Sequence, residues 1–246
     1  GLNISFGNSI IYSDVGVQPL YLIPFLFYNA VDAVRTGYVD YAGSNSQLFF
    51  NISSRNVRHL HLYVSFFVDE WKTKRLTDPE LSNFTSLKTG FRLDGFPVAN
   101  LALTGEYTRT MPMTYDHYIS TTTFRSNDYC LGHYLRENSQ EFYIGLDYKP
   151  LRGLLISASW TLAQHGTDVP YRVDAGYNVA AVPFLSPVTW ENNEVALSAR
   201  YEYTSGGFFF ARYVFSSRTG EDQNPYEPAE MRGRTNNFQA GINLGF

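Results

Sequence analysis

With 246 residues, 44% hydrophobic and 17% charged, the chain is too apolar for a disordered tract and long enough for one large domain. A formal charge of −4 with scattered arginines offers no basic stripe and argues against nucleic acid as a partner, and the lone Cys130 excludes an internal disulfide framework or a cysteine metal site. The longest apolar run, Leu20 to Tyr28, contains Pro24 and falls short of the ~18 residues a spanning helix needs.

An aromatic fraction of 17%, from 19 Tyr and 19 Phe, beside a mean hydropathy of −0.23 requires apolar and polar surface to be finely interleaved. The interleaving has period two. About eleven strands are predicted, in chain order near 2–12, 19–29, 45–54, 58–70, 83–94, 98–110, 139–148, 152–164, 192–204, 208–217 and 236–246. In the fifth, Leu87, Phe91 and Leu93 oppose Lys88, Arg92 and Asp94. In the seventh, Phe142, Ile144, Leu146 and Tyr148 oppose Tyr143 and Asp147; in the eighth, Leu154, Ile156, Ala158, Trp160 and Leu162 oppose Ser157, Ser159 and Thr161. Val195, Leu197, Ala199, Tyr201 and Tyr203 share a face of the ninth, and Phe238, Ala240, Ile242, Leu244 and Phe246 share one in the last.

The connections alternate in length. Short turns are expected near Asp14, Asn56, Phe96, Pro150 and Gly206, with three-residue loops at Arg55 to Val57, Gly95 to Pro97, Lys149 to Leu151 and Ser205 to Gly207. Long polar connections fill 30–44, 71–82, 111–138, 165–191 and 218–235. Broad apolar faces with charges in mid-strand on the opposite face fit a lipid-facing wall around a polar lumen better than a soluble sandwich. The expected fold is therefore all-β, a transmembrane antiparallel barrel of the bacterial outer membrane, with loops extracellular and the C-terminus periplasmic. An odd strand count starting outside implies further strands, so residues 1–246 are expected to be the C-terminal portion of a single, larger barrel domain.

Interfacial aromatic girdles would comprise Tyr148, Tyr203 and Phe246 at the periplasmic rim and Tyr28, Tyr107 and Trp160 toward the outer rim. In the lumen, the expected hairpin registers set Lys88 diagonal to Glu106 and Glu202 diagonal to Arg212. Both signs occur, which favours structural pairing over an ion-selective lining.

The loop 111–138 is the richest. It carries Tyr115-Asp116-His117-Tyr118 and then Tyr129-Cys130-Leu131-Gly132-His133-Tyr134, followed by Arg136, Asn138 and Ser139. Together with Gly105-Glu106-Tyr107-Thr108, Phe6-Gly7-Asn8-Ser9, Ile23-Pro24-Phe25 and Phe67-Val68-Asp69-Glu70-Trp71, this order resembles the capsule-assembly Wzi family and its gliding-associated RemB-like relatives. Ser44 stands before Asn45 where the resemblance implies Asp. The resemblance implies an outer-membrane barrel of roughly eighteen strands that holds surface polysaccharide in the manner of a lectin.

Sugar capture uses aromatic faces, with planar Arg, Asn and carboxylate groups for hydroxyls. The long loops offer Tyr115, His117, Tyr129, His133, Tyr134, Arg136, Arg172 and Trp190 for this purpose, with Tyr177, Tyr226 and Arg232 as further candidates. A phospholipase-like alternative would pair His117 with Ser120, or His133 with Ser139, as base and nucleophile. The expectation is a non-enzymatic barrel without cofactor or metal, in contact with outer-membrane lipid, surface polysaccharide or other outer-membrane proteins. A structural or accessory role in a secretion or gliding assembly is the second reading.

Overall fold

The computed structural model describes residues 1–13, 16–31, 43–71, 73, 83–127, 129–169, 171, 182–220 and 229–245. Among them the chain is all-β. Ten long strands form a single antiparallel meander: β1 (Leu2–Tyr12), β2 (Ser44–Ser54), β3 (Leu60–Glu70), β4 (Phe84–Asp94) and β5 (Leu101–Thr110), then β8 (Ser139–Leu151), β9 (Leu154–Gly166), β10 (Val188–Thr204), β11 (Gly207–Gly220) and β12 (Arg234–Asn243). Between β5 and β8 lies a two-residue hairpin of β6 (Arg125–Ser126) and β7 (Tyr129–Cys130). Each long strand pairs with its chain neighbours, and the sheet is not closed: β1 pairs only with β2, and β12 only with β11, among the described residues. No helix among them is long and apolar enough to cross a membrane.

The expected strand at 19–29 is not formed. Pro19–Leu22 makes a 3-10 turn instead, since Pro19 and Pro24 have no N–H to give a ladder. The segment lies against the face of β1 that carries Ile4, Phe6 and Asn8. Tyr28 N donates to Asn8 Oδ1 at 2.8 Å, Asn29 Nδ2 to Ser46 Oγ at 3.1 Å, and Phe27 meets Phe6 with ring centres 6.3 Å apart. Between β1 and β2 the described residues therefore add no strand to the sheet, and the turn expected near Asp14 lies outside the described residues. Among the described residues the sheet has ten strands, so the start of β1 and the close of β12 lie at the same end of it.

The alternation of long and short connections holds, but the hairpin registers differ from those expected. Ser54 faces Leu62 rather than Arg58, Asp94 faces Ala102 rather than Val98, and Tyr148 faces Ile156 rather than Arg152. Phe208 faces Glu202 rather than Thr204, because a bulge between Glu202 and Thr204 shortens the turn. Every displacement is by an even number of residues, so each side chain keeps its face.

The two faces can be read straight across the ladder. One row runs Leu62, Phe91, Gly105, Ile144, Trp160, Val195, Phe215, almost wholly apolar. A neighbouring row on the other face runs Asn51, Ser65, Lys88, Thr108, Glu141, Ala163, Asn192, Arg218, almost wholly polar. The apolar side is left bare: Ile4, Phe6, Ile52, Val64, Phe142, Ile144, Leu146, Leu197, Phe209, Phe238 and Ile242 are all exposed. Correspondingly the accessible surface is 15237 Å², against about 11,000 Å² for a water-soluble monomer of this mass. A hydrophobic cluster lies at the long-connection end of the polar face, where Phe84 and Met113 pack with Tyr171 and Val182.

Candidate functional site

Residues 111–138 fold inward from the β5–β8 connection and cover the polar face at that end. Their root is tied to β4: Met111 N and Thr114 Oγ1 both donate to Thr85 O, at 3.0 and 3.2 Å. The far end returns to the same point through Asn138 N to Met111 O at 3.3 Å. Asn138 is buried and spends both side-chain groups on neighbouring backbone, donating Nδ2 to Thr167 O and accepting Leu185 N at Oδ1, each at 2.9 Å.

Beneath the loop is an aromatic nest. Phe49 of β2 and Phe67 of β3 interrupt the polar face, and Tyr115 and Phe124 of the loop pack on them with ring centres 5.1 to 6.4 Å apart. Tyr115 is only 2% exposed, and its hydroxyl accepts His133 N at 3.0 Å. A side chain on Gly132 would run into the Tyr115 ring, which explains a glycine in the Leu131-Gly132-His133 stretch. Tyr115 is therefore a packing residue rather than a sugar platform, a correction to the sequence expectation.

Beside the nest an ionic cluster fastens the loop. Arg125 meets Asp116 at 3.1 Å and Glu137 at 3.6 Å; Arg136 meets Glu137 at 3.0 Å and Asp168 at 3.8 Å; His165 meets Asp168 at 3.4 Å. Glu137, 2% exposed in its side chain, serves both guanidiniums with one oxygen, so its charge is the hub. Burial, with the Glu137 charge, holds the Asp116 carboxyl above the usual range against the pull of Arg125 and Arg136.

The candidates for sugar contact fall into three groups. Tyr129 and Tyr134 are 80% and 67% exposed, and Tyr134 donates its hydroxyl to Glu141 while lying against the His133 ring at 4.7 Å. His117, half-buried, shares a hydrogen with Thr122 Oγ1 at 2.6 Å and lies tilted against the Tyr118 ring with centres 4.3 Å apart; Trp190 is half-buried in β10 opposite His165. Arg136 belongs to the ionic cluster, and Arg172, Tyr177 and Tyr226 lie outside the described residues. Neither His–Ser pair is joined by a hydrogen bond: His117 uses Thr122, and Ser139 Oγ donates to Arg136 O at 2.7 Å.

On the sheet itself, Lys88 and Glu106 form the expected ion pair at 2.9 Å, and Tyr63 donates to the same carboxylate. Glu202 and Arg212 do not pair. The bulge sets Glu202 opposite Phe208 and Arg212 opposite Ser198, well apart along the same face. Tyr107 and Trp160 lie on the apolar face with their polar tips bonded, Tyr107 to Gln140 at 3.2 Å and Trp160 to Asn193 at 2.9 Å. Just beyond them Gln140, Gln164 and Glu191 form a hydrogen-bonded polar chain, each link 2.6 Å, which bounds the apolar belt on that side. Tyr148 and Tyr203 lie at the short-turn end; Tyr28 is in the β1–β2 connection rather than on a strand, and Phe246 lies outside the described residues.

No protein-family model, curated protein or solved structure matches the chain.

Burial holds the His133 imidazole down at about 4, helped by the positive charge of Lys88, and burial also lowers His117. A base whose folded pKa lies below its unfolded value stabilises fully above the unfolded value of about 6.5 and loses that contribution as pH falls from there through the folded value. Asp116, raised, acts in the opposite sense, and its contribution is lost as pH rises through its folded value. Loop 111–138 should accordingly lose hydrogen-exchange protection as pH falls from about 6.5 to about 4 while the strand amides keep theirs. His133→Gln should flatten that dependence; a pH-independent loop would contradict it.

Proposed function

We propose that the chain forms part of the wall of an outer-membrane β-barrel, with its apolar face against lipid and its long connections displayed at the cell surface to hold polysaccharide. The observation that carries this reading is the apolar belt, ten strands wide and left bare, backed by a continuous polar face. In water such a belt would be an aggregation hazard, whereas in a bilayer it is the favoured arrangement, with hydrogen-bonded Tyr107 and Trp160 at its margin. The resemblance of residues 105–139 to the Wzi family points the same way. On this reading the inward-folded loop is a plug, and the exposed Tyr129 and Tyr134 rings are the sugar platform.

A polysaccharide retention assay with purified, folded protein tests it. Tyr129→Ala with Tyr134→Ala should weaken retention of capsular polysaccharide by about tenfold, the worth of one or two aromatic contacts, with strand content unchanged. Retention equal to that of the parent would remove the sugar role.

A second reading, an accessory barrel subunit of a larger secretion or gliding assembly, is favoured by the edges of β1 and β12, which pair with no further strand among the described residues and whose backbone groups offer a template for another strand. Co-purification of a stoichiometric membrane partner would select it over the lectin-like role.

A further inference from the structure

At the opposite end from the long connections, the turn joining β2 to β3, the start of β3 and the last residues of β4 enclose an open crevice of about 360 Å³, lined chiefly by Arg55, Arg58, His59, His61, Arg92 and Asp94. Three guanidiniums face one carboxylate there. That carboxylate is already engaged, for Asp94 accepts Arg92 Nε at 3.0 and 3.2 Å, and the remaining reach of Arg92 goes to Thr104 at 3.2 Å and Asp147 at 3.9 Å. The guanidiniums of Arg55 and Arg58 have no hydrogen-bond or ion-pair partner among the described residues.

The walls are fixed by backbone. Asp94 N donates to His59 O at 2.8 Å, Leu60 N to Val57 O at 3.1 Å, and the His59 ring is held through Nδ1 to Asp94 O at 2.7 Å, with His59 itself in the left-handed region at φ 66°. Two uncommitted planar donors lining one preformed crevice match the needs of a multiply charged oxyanion, which each guanidinium can grip with two parallel N–H groups. The excess positive charge also raises the local concentration of such an anion.

We propose that this crevice is a phosphate-class oxyanion site, occupied by the phosphate of a lipid headgroup or by a free phosphate. It is remote from the loop that carries the sugar reading and stands whether or not that reading does. The site commits Arg55 and Arg58 as the binding groups and Arg92, neutralised by Asp94, as their support.

Titration of the detergent-purified chain with inorganic phosphate, at constant ionic strength in chloride, and separately with phosphatidic acid against phosphatidylcholine micelles tests it. Saturable binding should appear in at least one arm, and Arg55→Ala and Arg58→Ala should each weaken it about tenfold. Both residues are exposed in a turn, so the variants should keep the parent's circular dichroism. Saturation with inorganic phosphate assigns a soluble ligand, and saturation with phosphatidic acid alone assigns a lipid headgroup. Absence of saturation in both arms, or equal binding by folded Arg55→Ala and Arg58→Ala proteins, would overturn the site.

Discussion

Ile144→Lys should destabilise the protein in phospholipid vesicles by about 2–4 kcal/mol, the cost of a lysine near the midplane of a barrel's outer face. Ile144 is in the middle of β8, 51% exposed, with Gly105 and Trp160 as its ladder neighbours on the apolar side. Its counterpart on the polar side is Ser159 of β9, between Gly145 and Ala196, where a lysine would reach the aqueous face at little cost. The sign of the first substitution is what discriminates. In a water-soluble sheet, replacing a bare isoleucine by lysine removes apolar surface from water and should be neutral or stabilising. Urea unfolding of both variants in vesicles separates the cases: a loss confined to Ile144→Lys supports a lipid-facing belt, and equal stabilities reject it.

Glu137→Ala should release the loop 111–138 without melting the sheet. The glutamate is the shared partner of Arg125 and Arg136, and removing it leaves two guanidiniums close together, 30% and 41% exposed, with Asp116 and Asp168 as their remaining partners. Breaking a buried pair by deleting one partner costs about 3 kcal/mol at the lower end, and the partial exposure of the arginines argues for that end. The loss should open the loop locally, because the sheet ladders do not pass through Glu137. Trypsin cleavage at Arg125 and Arg136 should therefore accelerate about a hundredfold while β8 and β9 stay protected. Unchanged cleavage would show that the aromatic nest of Phe49, Phe67, Tyr115 and Phe124 alone holds the loop.

The faces of the strands were legible in the sequence because period-two alternation is a local property. Leu154 to Leu162 and Val195 to Tyr203 show it without reference to any partner. Register is not local. It depends on turn geometry, and the hairpins pair Ser54 with Leu62 and Asp94 with Ala102, beyond what a three-residue loop allows. Because alternation survives only even shifts, the Lys88–Glu106 diagonal survived, whereas the Glu202–Arg212 diagonal was lost to a bulge. Residues 19–29 misled because a run of apolar side chains satisfies strand propensity while Pro19 and Pro24 deny it a ladder. In the loop, Tyr115 and Tyr134 look alike in sequence; only the inward fold onto Phe49 and Phe67 buries the first and leaves the second in the open. A sequence signal for that nest did exist, in the two phenylalanines on the otherwise polar faces of β2 and β3.

Nitroxide labels placed singly along residues 155–163 of β9, with Cys130 replaced by Ser and the chain reconstituted in vesicles, test the central claim most directly. Collisions with oxygen, which concentrates in lipid, should peak at 156, 158, 160 and 162, and collisions with a water-soluble nickel chelate should peak at the positions between. Two profiles in phase, or nickel access at every position, would contradict a lipid-facing wall.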